Sequence, residues 1–221
     1  MNYEIYQQQI YETTLNLVQI DLIRLSSGNI SMRLPDGNVA ITPSGVLYSI
    51  MKPEDVVIMD LDNELVVGKH KPSSEKQLHT EIYKARSDVS AIVHTHSRYA
   101  IAFASVGMEL PVCNIEILAA GGPIPIAPYE VPGTLEVGLG AAQYFTDNPG
   151  IKALLLESHG MVAIGKTLSG AYQNAYKTEI GAEIYHLSLQ TGKEVKVLSQ
   201  AQIEEIFSRY QKPKQDNNLN G

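Results

Sequence analysis

The sequence has little of what holds small or secreted domains together. Cys113 is the only cysteine among 221 residues, so no disulfide can staple the chain internally, and the composition fits a reducing compartment. Lys and Arg form no run that could neutralise a polyphosphate backbone, and the formal net charge is −7; nucleic acid is not an expected partner. No apolar stretch approaches the length of a membrane span. The first residues, Met1 to Leu17, carry Glu4 and a polar run where a secretion signal needs an apolar core. Glycine-rich loops of the P-loop or dinucleotide type are missing, so nucleotides are not implied. Internal repeats and long linkers are missing as well. What is there is an ordinary globular composition, 44% hydrophobic and 19% charged. A chain of this length can bury about 70% of its unfolded surface, so it needs no metal merely to fold. The expectation is a cytoplasmic enzyme with one domain at residues 1–211 and a polar, disordered tail at 212–221.

Periodicity divides the chain into alternating helices and short strands. Residues 2–25 have helical spacing, with Ile5, Ile10, Leu15, Leu17, Val18, Leu22 and Leu25 as an apolar stripe. Ser26-Ser27-Gly28-Asn29 ends that helix. Residues 30–34 and 38–41 read as a hairpin across Pro35-Asp36-Gly37, and 56–60 and 65–67 as two more strands. A helix is expected over 74–86, a buried strand over 91–94, and a helix over 99–105. Beyond the Gly/Pro-rich passage 121–132 come a helix at 134–144, strands at 153–157 and 160–164, and helices at 168–189 and 201–210. The pattern predicts an α/β fold: a single domain with a central mixed, largely antiparallel β-sheet flanked by helices on both faces.

Two groups of residues carry chemistry. His94-Thr95-His96 stands at the exit of a strand, where alternate residues share a face and two imidazoles can meet one ion. His159, in Glu157-Ser158-His159-Gly160, is a third candidate at a turn where Gly160 permits close approach. Three imidazoles with an open position suit a catalytic metal site better than a closed structural one. His79 lies on the 74–86 helix and reads as a packing or supporting residue. The second group is three loops of small donors: Ser26-Ser27-Gly28-Asn29, Thr42-Pro43-Ser44-Gly45 and Pro72-Ser73-Ser74-Glu75. The last opens a helix, whose free N–H groups and dipole attract an anion. Each loop alone is also explained as a plain turn or N-cap.

In order and spacing these segments, with Ala91-Ile92-Val93-His94-Thr95-His96-Ser97, Ala119-Ala120-Gly121-Gly122 and Leu156-Glu157-Ser158-His159-Gly160, resemble the class II aldolase/adducin family. The resemblance implies a metal-dependent lyase. His94, His96 and His159 would hold zinc, or manganese or cobalt, since three imidazoles and a carboxylate accept any of these. Glu75 would be a fourth ligand and the acid/base that moves a proton at C3 of the substrate. Ser27, Asn29, Ser44, Gly45, Ser73 and Ser74 would bind its phosphate. The partner implied is a small sugar phosphate, a ketose 1-phosphate such as L-fuculose 1-phosphate or a deoxy- or methylthio-pentulose analogue, cleaved to dihydroxyacetone phosphate and an aldehyde. A homotetramer with interfacial sites is implied too.

One departure stands out. Relatives that cleave fuculose phosphate carry a tyrosine just ahead of Ala-Ala-Gly-Gly, where this chain reads Asn114-Ile115-Glu116-Ile117-Leu118. Without a gap Ile115 falls at the tyrosine's position, and with one shifted residue Glu116 does; Glu116 is the expected second acid/base, reaching a neighbouring subunit's site, and Tyr210 a tail residue that could cap it. A glutamate in that neighbourhood resembles methylthioribulose-phosphate dehydratases, which makes dehydration the alternative activity. A ribulose-phosphate 4-epimerase and a non-catalytic adducin-like domain follow behind.

Overall fold

The computed structural model describes residues 1–211. The chain runs α1 (Glu4–Gln19), β1 (Asn29–Arg33), β2 (Val39–Ile41), β3 (Val57–Met59), β4 (Leu65–Val67), α2 (Lys76–Ala85), β5 (Ala91–Thr95), α3 (Arg98–Ser105), α4 (Ile115–Ala119), β6 (Ile126–Ala127), α5 (Leu135–Asp147), β7 (Ala153–Leu156), β8 (Gly160–Gly165), α6 (Leu168–Gln190) and α7 (Gln200–Gln211). A single 3-10 turn, Pro53–Asp55, precedes β3. The eight strands form one sheet in the order β4-β3-β2-β1-β5-β8-β7-β6. Every neighbouring pair is antiparallel except β6 and β7. The predicted mixed, largely antiparallel sheet is therefore the one observed. Among the described residues no helix is long and apolar enough to cross a membrane.

The central strands are buried along most of their length because helices cover both faces. Alternate residues feed two separate cores. Ile30, Val93, Leu155 and Met161 enter the layer that also buries Ile10, Phe103, Ile117 and Ala175 from α1, α3, α4 and α6. Ile41, Ile92, Leu154 and Val162 enter the other, beneath Leu78, Ile82 and Tyr83 of α2 and Val137, Ala141 and Phe145 of α5.

The structure corrects the expected first helix. α1 stops at Gln19, not near residue 25, because Asp21 takes a left-handed conformation (φ 63°) and Leu25 another (φ 55°). Its buried face is Gln7, Ile10, Thr14 and Leu17, one residue every third or fourth position. Ile5, Leu15, Val18 and Leu25, placed on the stripe by sequence, are exposed. Thr14 is tolerated in the core because its hydroxyl donates to the Ile10 carbonyl at 2.7 Å. The short elements α4 and β6 had no sequence signal strong enough to predict them.

Candidate active site

Two neighbouring strand ends and a helix start build the site. β5 pairs with β8 so that Thr95 lies opposite Met161, and β8 follows β7 through the three residues 157–159. That register sets His159 beside the end of β5. His94 and His96 project to the same side, and the ring centroids of His94, His96 and His159 lie 4.8 to 5.2 Å apart. Ser158 sits in the turn with φ 55°, a conformation that costs energy for a residue with a Cβ. Close approach explains Gly160. A Cβ there would lie 2.4 Å from the Thr95 carbonyl oxygen and 3.0 Å from the His96 ring. We expect Gly160→Ala to force these two strand ends apart at a cost of about 1–3 kcal/mol. Thermal unfolding should register this as a Tm lower by roughly 2–12 °C; an unchanged Tm would mean the contact is slack.

The fourth group arrives from α2, the helix that covers the sheet face onto which Ile92 and His94 point. Glu75 caps the start of α2 and turns its carboxylate onto the histidines. Its Oε1 is 2.7 Å from His159 Nε2 and its Oε2 3.2 Å from His94 Nε2, while His94 Nε2 and His96 Nε2 face each other at 3.0 Å. One ligand atom from each of Glu75, His94, His96 and His159 falls within 4.8 Å of the others. A tetrahedral ion bound at about 2.1 Å spaces its donors about 3.4 Å apart, which lies inside that range.

The donors also have the right chemistry. His94 Nδ1 lies 2.9 Å from the Met161 carbonyl oxygen, to which it donates, so its Nε2 carries a lone pair toward the centre. Glu75 Oε1 and His159 Nε2 are both buried without a well-formed hydrogen bond. Such orphaned atoms are rare unless something else satisfies them. A divalent cation does so for all four groups at once, and the residues fit one.

Charge is arranged to suit. Burial alone would raise the Glu75 pKa, but His94 and His159 hold the carboxyl well below the usual carboxylate range. Burial disfavours the His94 imidazolium, yet Glu75 beside it outweighs this and raises the His94 pKa. His96, at the mouth, is lowered to about 4 by burial and by the neighbouring His94. Deeper in, burial and then His94 push His79 down to about 3, so it is a neutral imidazole.

A cleft of about 270 Å³ opens directly onto this cluster. All six expected phosphate-binding residues line it: Ser27, Asn29, Ser44, Gly45, Ser73 and Ser74, alongside Glu75, His96 and His159. The three loops are tied to one another. Ser73 N–H donates to the Thr42 carbonyl at 3.1 Å, Ser44 N–H to the Lys71 carbonyl at 2.9 Å, and Ile30 N–H to the Thr42 hydroxyl at 3.2 Å. Gly28 must be glycine, because its φ is +82° and a Cβ would strike the Ile23 side chain at 2.6 Å and the His94 carbonyl at 2.8 Å. Among the described residues neither Lys nor Arg lines the cleft. An anion there would rely on hydroxyls, backbone N–H groups, the start of α2 and the adjacent ion.

One expected residue is not brought in, and another falls outside what the structure describes. Glu116 lies on α4 and is half-buried; it is not among the residues that line the cleft of its own chain. The side chain of Tyr210 and the tail at 212–221 lie outside the described residues. Sequence reasoning missed one feature. Asn29, expected only as a phosphate donor, also donates from Nδ2 to Glu75 Oε2 at 2.7 Å. The pairing of Asn29 with His94 across β1 and β5 puts it there, and no local motif announces that pairing.

The fold and the site together define a protein with four side chains that could hold one divalent cation, set beside a cleft lined mainly by small hydroxyl and amide residues on an α/β scaffold. The family model described as "Class II Aldolase and Adducin N-terminal domain" matches residues 8–186. The chain belongs to this family, as its motifs implied. It is 37% identical over 206 residues to a 5-deoxy-D-ribulose 1-phosphate aldolase of Bacillus thuringiensis, covering 93% of this chain and 95% of that protein. It is 34% identical over 202 residues to a 5-methylthioribulose-1-phosphate/5-deoxyribulose-1-phosphate aldolase of Rhodospirillum rubrum, covering 91% and 89%. A solved structure of L-fuculose 1-phosphate aldolase superposes with a TM-score of 0.86 at 33% identity, over 92% of this chain and 95% of the other.

Proposed function

We propose that the protein is a zinc-dependent aldolase that breaks the C3–C4 bond of a ketose 1-phosphate, releasing dihydroxyacetone phosphate and an aldehyde. The observation that carries this reading is the convergence of Glu75, His94, His96 and His159 beside the cleft lined by the three donor loops. The substrate class is L-fuculose 1-phosphate or a 5-deoxy- or methylthio-pentulose 1-phosphate, the compounds named for its relatives.

His94, His96 and His159 would hold the ion, with Glu75 as the fourth donor. When bound, the ion supplies Lewis acidity at the C2 carbonyl and C3 hydroxyl oxygens, which stabilises the negative charge that bond cleavage leaves behind. Ser27, Asn29, Ser44, Gly45, Ser73 and Ser74 hold the phosphate, and that fixes C3 relative to Glu75. Cleavage leaves an electron pair on the three-carbon fragment; Glu75, ionised at rest, takes a proton from solvent, delivers it to C3 and is left ionised again. The hydroxyl on C4 must lose its proton as the aldehyde forms. Glu116 of a neighbouring subunit in a homotetramer accepts it. The enzyme works in the cytoplasm.

The test is direct. The zinc-loaded protein should release dihydroxyacetone phosphate from L-fuculose 1-phosphate or 5-deoxyribulose 1-phosphate, followed with a coupled dehydrogenase. Loss of water from a methylthioribulose 1-phosphate, without any three-carbon phosphate from these substrates, would make the protein a dehydratase instead.

A further inference from the structure

Behind the site runs a buried line of five polar side chains that a helix and a strand assemble from matched spacings. Glu75, His79 and Tyr83 recur every four residues along one side of α2. Asn29 and Ser31 alternate on one face of β1. Four residues advance a helix about 6 Å, and two advance a strand about 6.8 Å, so the two rows interdigitate. Glu75 Oε2 meets Asn29 Nδ2 at 2.7 Å, Asn29 Oδ1 meets His79 Nε2, His79 Nδ1 meets Ser31 Oγ at 2.6 Å, and Ser31 Oγ meets Tyr83 Oη at 2.7 Å. All five residues are buried.

Only one set of donors and acceptors satisfies this line. An ionised carboxylate can only accept, so the Asn29 amide must turn its NH2 to Glu75 and its oxygen to His79. That oxygen needs a donor, which places the His79 hydrogen on Nε2. A neutral His79 then has a lone pair on Nδ1 and accepts from the Ser31 hydroxyl. Ser31 has spent its hydrogen, so Tyr83 donates to Ser31. Every hydrogen points toward Glu75.

Building on the aldolase reading, we propose that His79 is a positioning residue that, through Asn29, pins Oε2 of Glu75 and leaves Oε1 as the oxygen for the ion and for the transferred proton. His79 touches neither. Oε1 is the atom beside His159 that lacks a hydrogen bond, whereas Oε2 is held from behind. A carboxylate free to rotate would present either oxygen and lose the geometry that both tasks require.

Nitrogen-15 histidine spectra of the metal-free wild-type protein test the directed line first. His79 should carry its hydrogen on Nε2; a hydrogen on Nδ1 overturns the proposal. Two variants then separate positioning from packing. His79→Leu fills the space without a donor, while His79→Gln can keep one directed at Asn29. Cobalt titrated into each metal-free variant should bind about 10–100-fold more weakly to His79→Leu. Binding to His79→Gln should recover toward wild type. Cobalt affinity at the wild-type level in both variants, with only Tm lowered, would reduce His79 to a packing residue and overturn the proposal. If His79→Leu does not fold, the tautomer and His79→Gln still decide. Wild-type protein that takes up no cobalt would instead sink the aldolase reading, and the spectra of the metal-free protein distinguish that failure from this one.

Discussion

His96→Ala yields a folded protein that neither retains a divalent ion nor turns over substrate. His96 stands at the exposed mouth of the site, just past β5, and belongs to neither apolar core, so its loss leaves the packing intact. What it removes is one of three imidazoles around the candidate centre. Metal affinity should fall by more than the roughly 10–100-fold typical of losing an outer hydrogen-bond partner. The ion's stabilisation of developing charge is worth several kcal/mol, so turnover should drop by about 10³-fold or more. Metal analysis of the purified variant and its steady-state rate check this together. Retention of one ion with an unchanged rate would remove His96 from the site.

Glu75→Gln should separate binding from chemistry. The glutamine can keep an oxygen for the Asn29 amide and nearly the same volume, and the three histidines remain to hold the ion. It cannot carry the proton. Proton transfer by a positioned group contributes about 10²–10⁴-fold, and kcat should fall by that much in excess zinc, where the three histidines still fill the site although loss of the carboxylate weakens metal affinity. A cleaner readout needs no aldehyde. The wild-type enzyme should exchange a C3 hydrogen of dihydroxyacetone phosphate into deuterated water, and Glu75→Gln should not. Exchange at the wild-type rate in the variant would assign the acid/base role elsewhere.

How much of this could be read from the residues depends on the range of the interactions that produce it. His94 and His96 were legible because a strand's period of two puts them on one face. The cleft loops were legible because Gly28, Gly45 and the paired serines are turn and cap chemistry, and their shared order carried the family resemblance. The arrival of His159 beside β5 is a matter of strand register, set by the β5–β8 pairing and absent from any local pattern. The line from Tyr83 to Glu75 was illegible for the same reason. It needs β1 beside β5 and α2 lying across both, and His79 taken alone looks like a packing residue. The end of α1 was misread because an apolar series continues to Leu25, while the left-handed turn at Asp21 uses no glycine to signal itself. Glu116 points to a further boundary. The role proposed for it, in a neighbouring subunit, would leave no trace in the contacts of one chain.

Diffraction at the zinc absorption edge, from crystals of the protein purified without chelator, tests the central claim most directly. A single anomalous peak should lie about 2.0–2.1 Å from Nε2 of His94, His96 and His159, with Glu75 within reach. A peak bonded to other residues, or none between these three rings in zinc-soaked crystals, would contradict the account.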